Sequence, residues 1–233
     1  MKNIARTTVL PLLMVTLSCG QAQAISFTEA SDAGETLNTA AFISSGMESL
    51  TSISGIIDGD ADIFKIFLTG GQTFSATTIN LDTIIGIPSD DLLGSPTDLI
   101  ADPQLFLFDA FGKGIYANDD SFGSPQPTLP SGGFSPTESG FYFLAISSSG
   151  YNPFSMGGDI FPTQPSTEIF GATGAGGDSP LIGFQGTNTT RGKYTISLTG
   201  VQATPQNIPE PSSILGILAI GILGTVSLKR TRG

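Results

Sequence analysis

The sequence predicts an all-β protein: a jelly-roll-like antiparallel β-sandwich with long loops, followed by a single C-terminal transmembrane helix. Three observations predict it. Apolar residues alternate with period two through the middle of the 233-residue chain, as in half-buried strands. Glycine, proline and aspartate break these runs at turn positions. No helical stripe appears before residue 205.

The clearest strands are Asp62–Leu68, with Phe64, Ile66 and Leu68 on one face, and the run in which Leu105 and Leu107 oppose Phe106 and Phe108. Gly140–Ser147 aligns Tyr142, Leu144 and Ile146, and Lys193–Thr199 aligns Tyr194, Ile196 and Leu198. Weaker runs are Leu50–Ile57, Gln72–Ile79 and Gly114–Ala117. Gly70-Gly71 and Asp109-Ala110-Phe111-Gly112 read as turns. Many short strands between such turns predict two packed sheets. Two long loops, 82–102 and 148–183, carry no legible chemical motif and are expected to be disordered or decorative.

The chain opens with Lys2 and Arg6, an apolar run Val9–Leu17, and small residues around Ala22-Gln23-Ala24. That order describes a secretory signal over residues 1–24, cleaved after Ala24. A rival reading takes Thr16-Leu17-Ser18-Cys19 as a lipoprotein box, with Thr16 where an aliphatic residue is usual. Cys19 is the chain's one cysteine, so a mature chain starting at Ile25 has no disulfide and no thiolate ligand.

Charge is lopsided, with a net −11. Between Ile25 and Ile208 the bases are Lys65, Lys113, Arg191 and Lys193, against nearly all the acids. Nucleic acid is excluded as a partner, because its affinity comes from cations displacing counterions. An acidic surface suits an extracellular protein, or one that takes up divalent cations.

The tail, 204–233, has three parts in fixed order. Pro209-Glu210-Pro211 comes first, then uncharged Ser212–Leu228, then the basic end Lys229, Arg230 and Arg232. Seventeen helical residues reach about 25 Å, enough for a thin bilayer core, and the trailing cations act as a stop-transfer signal. This order resembles the PEP-CTERM sorting signal of Gram-negative bacteria. The resemblance implies recognition by an exosortase, cleavage near the triplet, and placement on the cell surface or in the extracellular matrix. The implied partners are the exosortase and export machinery, the inner membrane before processing, and extracellular polysaccharide.

Residues 25–203 resemble a bacterial pre-peptidase C-terminal domain. The resemblance rests on Thr28–Leu37, on Asp58-Gly59-Asp60-Ala61-Asp62 leading into Ile63–Leu68, and on Leu105–Asp109 with Gly112. It extends to Asn118-Asp119-Asp120-Ser121, Gly140–Ile146 and Gly192–Ile196. It implies a non-catalytic accessory module, some of whose relatives bind calcium or polymers. Calcium needs six to eight oxygens. Asp58, Asp60, Asp62, Asp119 and Asp120 are the candidate ligands, with Glu29, Asp32 and Glu35 able to add oxygens. The run lacks the Gly and distal Glu of a helix-loop-helix calcium site. Turn caps facing water are the competing reading of the same acids. No cofactor is required, and calcium is the candidate one.

The full chain has no histidine, which removes the usual general base and the commonest zinc ligand. No catalytic residue is assigned. The alternative is a secreted glycan hydrolase using two carboxylates. Asp119 and Asp120, if extended, point to opposite sides. The loop aromatics Phe122, Phe134, Tyr151, Phe154 and Phe161 stack on sugars or tuck beneath their own loops.

Overall fold

The structure, a computed structural model, describes residues 24–44, 46, 48–79, 99–130, 136–162, 167–187 and 190–204. The signal run, the sorting tail with its expected helix, Phe134 and most of the 82–102 loop lie outside these. Among the described residues no helix is long and apolar enough to cross a membrane.

Among the described residues, fifteen strands form the body. The first five are β1 (Ala24–Thr28), β2 (Ala41–Phe42), β3 (Ser49–Asp58), β4 (Ala61–Leu68) and β5 (Ser75–Thr78). Next come β6 (Pro103–Phe108), β7 (Gly114–Asn118), β8 (Thr128–Leu129), β9 (Gly140–Ser148) and β10 (Tyr151–Ser155). The chain closes with β11 (Gly158–Asp159), β12 (Phe170–Gly171), β13 (Gly183–Gly186), β14 (Arg191–Thr199) and β15 (Val201–Gln202). Every strong sequence run is a strand, whereas the Gln72–Ile79 run shortens to four residues.

The expected pair of separate sheets is replaced by one curled sheet, a half-barrel. Its order is β12-β7-β6-β9-β4-β15-β3-β14-β5-β8, with β1 pairing β3 and β2 pairing β4 in parallel. The physical reason is β15. Val201 pairs with Leu68, and Gln202 pairs with both Phe67 and Ser49, so two residues weld β4 to β3. The far end then curls round until β8 lies against β6 and β7. There the Thr128 N–H donates to the Asn118 side-chain oxygen at 2.7 Å. Asn118, 2% exposed, also donates through its amide nitrogen to the Glu168 carbonyl at 3.0 Å.

The curl encloses the main core, with Phe64, Ile66, Leu105, Leu107, Leu144 and Ile196 among its members. A second core forms on the outer face of β4, β6 and β9, from Ala61, Ile63, Phe106, Phe108, Phe143 and Ala145. It is roofed by residues in and just beyond the 148–183 segment, which is structural where disorder or decoration is expected. Here β10 pairs with β11 and β13 in a small separate sheet, and Ile160, Phe161, Leu181 and Phe184 pack downward. The Phe161 ring sits 5.7 Å from Phe106 and 5.9 Å from Phe108. Strands buried on both faces read as continuous apolar runs, which is what Leu105–Phe108 and Phe141–Ile146 are.

Phe161→Ala should therefore cost about 3 kcal/mol or more in denaturant unfolding. Phe111→Ala, on a side chain 78% exposed, should change stability by no more than about 0.5 kcal/mol. Equal, small effects at both sites would show that the 148–183 segment is ornament after all.

Candidate functional site

Strand register gathers the Asp-rich turns around Asp60, Asp102 and Asp119 along one rim of the half-barrel. Ala61 at the start of β4 faces Ser147 near the end of β9, and Pro103 at the start of β6 faces Ser148. Leu105 pairs with Asn118, so the end of β7 reaches the same rim. The turns leaving these strand ends carry the Asp-rich stretches, which form two separate groups.

The first group is built on the β3–β4 hairpin. Gly59, at φ +87°, makes the tight turn that an L side chain resists. The Asp58 N–H donates to the Asp60 carboxylate at 3.0 Å. Asp62 follows on the inward face, in line with Phe64 and Ile66, and is fully buried. Carboxylate oxygens of Asp32, Asp60 and Asp62 lie within 4.8 Å of one another.

The Tyr194 hydroxyl donates to Asp62 Oδ2 at 2.6 Å and lies 3.2 Å from Glu29 Oε2. Glu29 Oε1 accepts from the Ile56 N–H at 3.1 Å. Glu35 accepts from the Ala61 N–H at 3.2 Å and from the Tyr151 hydroxyl at 2.9 Å. The N-terminal segment thus closes over the hairpin. Gly55 permits this, because a Cβ there would stand 2.4 Å from the Tyr194 hydroxyl and 2.6 Å from the Glu29 carboxylate. Asp58 is not in the group; its carboxylate pairs with exposed Arg191 at 2.6 Å.

The second group lies at the seam. Oxygens of Asp102, Asp119 and Asp120 also fall within 4.8 Å of one another. The expectation that Asp119 and Asp120 point apart does not hold. β7 ends at Asn118, so the pair lies on a turn and not on a strand. The Gln104 and Ser149 side chains hydrogen-bond to Asp119, and Ser149 does so to Asp102 as well. A cleft of about 240 Å³ opens beside this group, lined by Gln104, Asn118, Asp119, Phe106, Phe161 and Phe170 among others.

Charge crowding marks both groups. Burial, with Glu29, Asp60 and Asp32 adding repulsion, pushes the Asp62 carboxyl up to about 8, against the lowering effect of Tyr194. Burial pushes Glu29 and Asp32 up too. At the seam, burial first and then Asp102 and Asp120 raise Asp119 to about 6. Burial and the Glu35 hydrogen bond raise the Tyr151 phenol to about 12. Tyr194, deeply buried and facing Asp62, stays a neutral donor throughout the accessible range.

Three of the five buried side-chain oxygens that lack a hydrogen-bond partner among the described residues fall at these groups: Asp62 Oδ1, Asp119 Oδ1 and Gln104 Oε1. Bare buried oxygens are costly unless something positive faces them. All-oxygen sets of this kind suit a hard divalent cation.

Asp102, Gln104 and Tyr194 were not singled out as site residues in the sequence. The signal for Gln104 was present: a lone polar residue entering an otherwise apolar run. Of the loop aromatics, Phe161 is buried, Phe154 is half-buried, and Tyr151 is tied to Glu35. Phe122 tucks under nothing and is 97% exposed.

Residues 207–231 match the family model of the PEP-CTERM protein-sorting motif. The tail resemblance stands on that match, which indicates an exported, exosortase-sorted protein. It does not extend to the middle of the chain, where the pre-peptidase C-terminal resemblance rests on the stretches quoted from the sequence. No curated protein matches the chain.

The Asp62 carboxyl rises from an ordinary 3.8 to about 8 on folding. Its stabilising contribution is therefore complete below about pH 4 and is lost as pH climbs through 8. Asp62→Asn mimics the protonated form. In chelator, wild-type melting temperature should fall relative to Asp62→Asn as pH goes from about 4 to about 9. A difference that stays constant across that span would refute the assignment.

Proposed function

We propose that this chain is a non-catalytic protein of the cell surface or extracellular matrix, exported, held briefly in the inner membrane by its tail, and released there by an exosortase. The sorting-motif match at residues 207–231 carries the reading. The body is compatible with both processing events. Its last strand ends at Gln202, and Thr204 is fastened to the Ile43 carbonyl by its N–H at 2.8 Å and its hydroxyl at 2.7 Å. A cut near Pro209-Glu210-Pro211 leaves every described strand intact. Cleavage after Ala24 removes one residue from β1 and leaves Ile25–Thr28 paired with β3.

The domain's ligand on this reading is calcium, held at the Asp32–Asp60–Asp62 group. What supports it is the bare, buried Asp62 Oδ1, on a carboxyl that brings an oxygen within 4.8 Å of two further carboxylates. A divalent ion there replaces the proton that burial, with crowding added, otherwise forces onto Asp62. Extracellular polysaccharide is the polymer that such a surface meets after release. One observation favours a second reading, a glycan hydrolase: Asp119, raised to about 6, lies with ionisable neighbours at the edge of a cleft. That pairing resembles the acid and carboxylate of sugar hydrolysis.

Mass spectrometry of the protein recovered from culture should find an N-terminus at Ile25 and a C-terminus close to the Pro-Glu-Pro triplet. Intact precursor among cytosolic enzymes, uncut at either end, overturns the sorting assignment. Millimolar calcium should raise the melting temperature over chelator, as binding to the native state alone requires, and Asp60→Asn should diminish the shift. Turnover of extracellular polysaccharides by the purified protein, lost in Asp119→Asn, would instead establish the hydrolase.

A further inference from the structure

We propose a second divalent-cation site, of calcium type, at the seam of the half-barrel, with Asp102, Asp119 and Asp120 as carboxylate ligands and Gln104 as an amide-oxygen ligand. It shares no residue with the Asp32–Asp60–Asp62 group and does not rest on it.

Geometry comes first. A calcium–oxygen bond is about 2.4 Å long, so oxygens around one ion lie no farther apart than about twice that length. The three carboxylates offer oxygens within 4.8 Å of one another, which meets that limit. An acidic cluster alone does not make a site. Here two further atoms point to a missing positive partner. Asp119 and Gln104 are each 9% exposed, and both Asp119 Oδ1 and Gln104 Oε1 are buried without a hydrogen-bond partner. The Gln104 amide N–H donates to Asp119, so this side chain lies against the cluster, and turning over its amide brings the unpartnered oxygen to the ion. An amide carbonyl and three carboxylates make a hard, all-oxygen set, which favours calcium over the softer metals.

Access and rigidity also fit. The neighbouring cleft gives an ion a way in and leaves room for water to complete its shell. The ligands come from three elements: the entry to β6, β6 itself, and the turn after β7. Ser149, following β9, hydrogen-bonds to Asp102 and Asp119 and steadies both. Asn118, one residue before Asp119, is the clasp that takes the Thr128 N–H of β8. An ion on Asp119 and Asp120 therefore fixes the turn on which the seam closes.

Equilibrium dialysis of the full-length protein in detergent against radioactive calcium tests the site by stoichiometry. With both groups occupied, two ions bind per chain. Asp119→Asn, or Asp102→Asn at an exposed position that does not threaten folding, should remove one of them or weaken it by more than about tenfold. Asp60→Asn should remove the other. Calcium should also slow hydrogen exchange of the Thr128 amide, and Asp102→Asn should abolish that slowing.

Calcium binding unchanged in count and affinity by both seam variants overturns the inference. One ion lost with Asp60→Asn and untouched by Asp102→Asn overturns it while leaving the first group standing. One ion lost with Asp102→Asn alone supports the seam site and sinks the first group. No binding at all sinks both.

Discussion

Strands β4, β6 and β9 carry apolar side chains on both faces, and neither face can be left in water. The inner face, with Phe64, Leu105 and Leu144, drives the sheet to curl on itself. The outer face, with Ile63, Phe106 and Phe143, needs a roof, and the chain supplies one from residues 148–187. At about 25 cal/mol per Å² of apolar surface, a ring such as Phe106 left exposed would cost a sizeable part of a domain's net stability. The small sheet of β10, β11 and β13 exists to meet that demand.

This explains what was legible in the sequence and what was not. Alternation exposed the strands well, because period two is local. Phe64, Ile66 and Leu68 share a face in the sequence and share the core in the fold. The roof escaped notice because its strands are short and interrupted by Gly and Pro. Its apolar anchors, Ile160, Phe161, Leu181 and Phe184, are too scattered to show a period. The clue lay elsewhere, in the unbroken apolar run Leu105–Phe108. One sheet in place of two turned on β15, two residues whose double pairing no local pattern encodes.

The acidic groups were half legible. Asp60 and Asp62 stand out by spacing, and the fold brings an oxygen of Asp32, from the N-terminal segment, within 4.8 Å of theirs. Asp58 belonged to the same run by spacing, yet its exposed position gives it to Arg191. Asp102 lies seventeen residues from Asp119 in the chain, and only the antiparallel register of β6 and β7 brings them together. The acids of the two groups share one rim, where like charges repel and where a counter-charge has much to relieve.

The sheet closes on itself through side chains at the Asn118 clasp, not through a backbone ladder between β7 and β8. Backbone ladders resist parting along their whole length, whereas a clasp of two or three hydrogen bonds lets go at once. The half-barrel therefore has a built-in zip line, and β8, two residues long and laddered on its other side to β5, is its tab. Parting the seam there uncovers Leu129, the β8 residue buried in the main core.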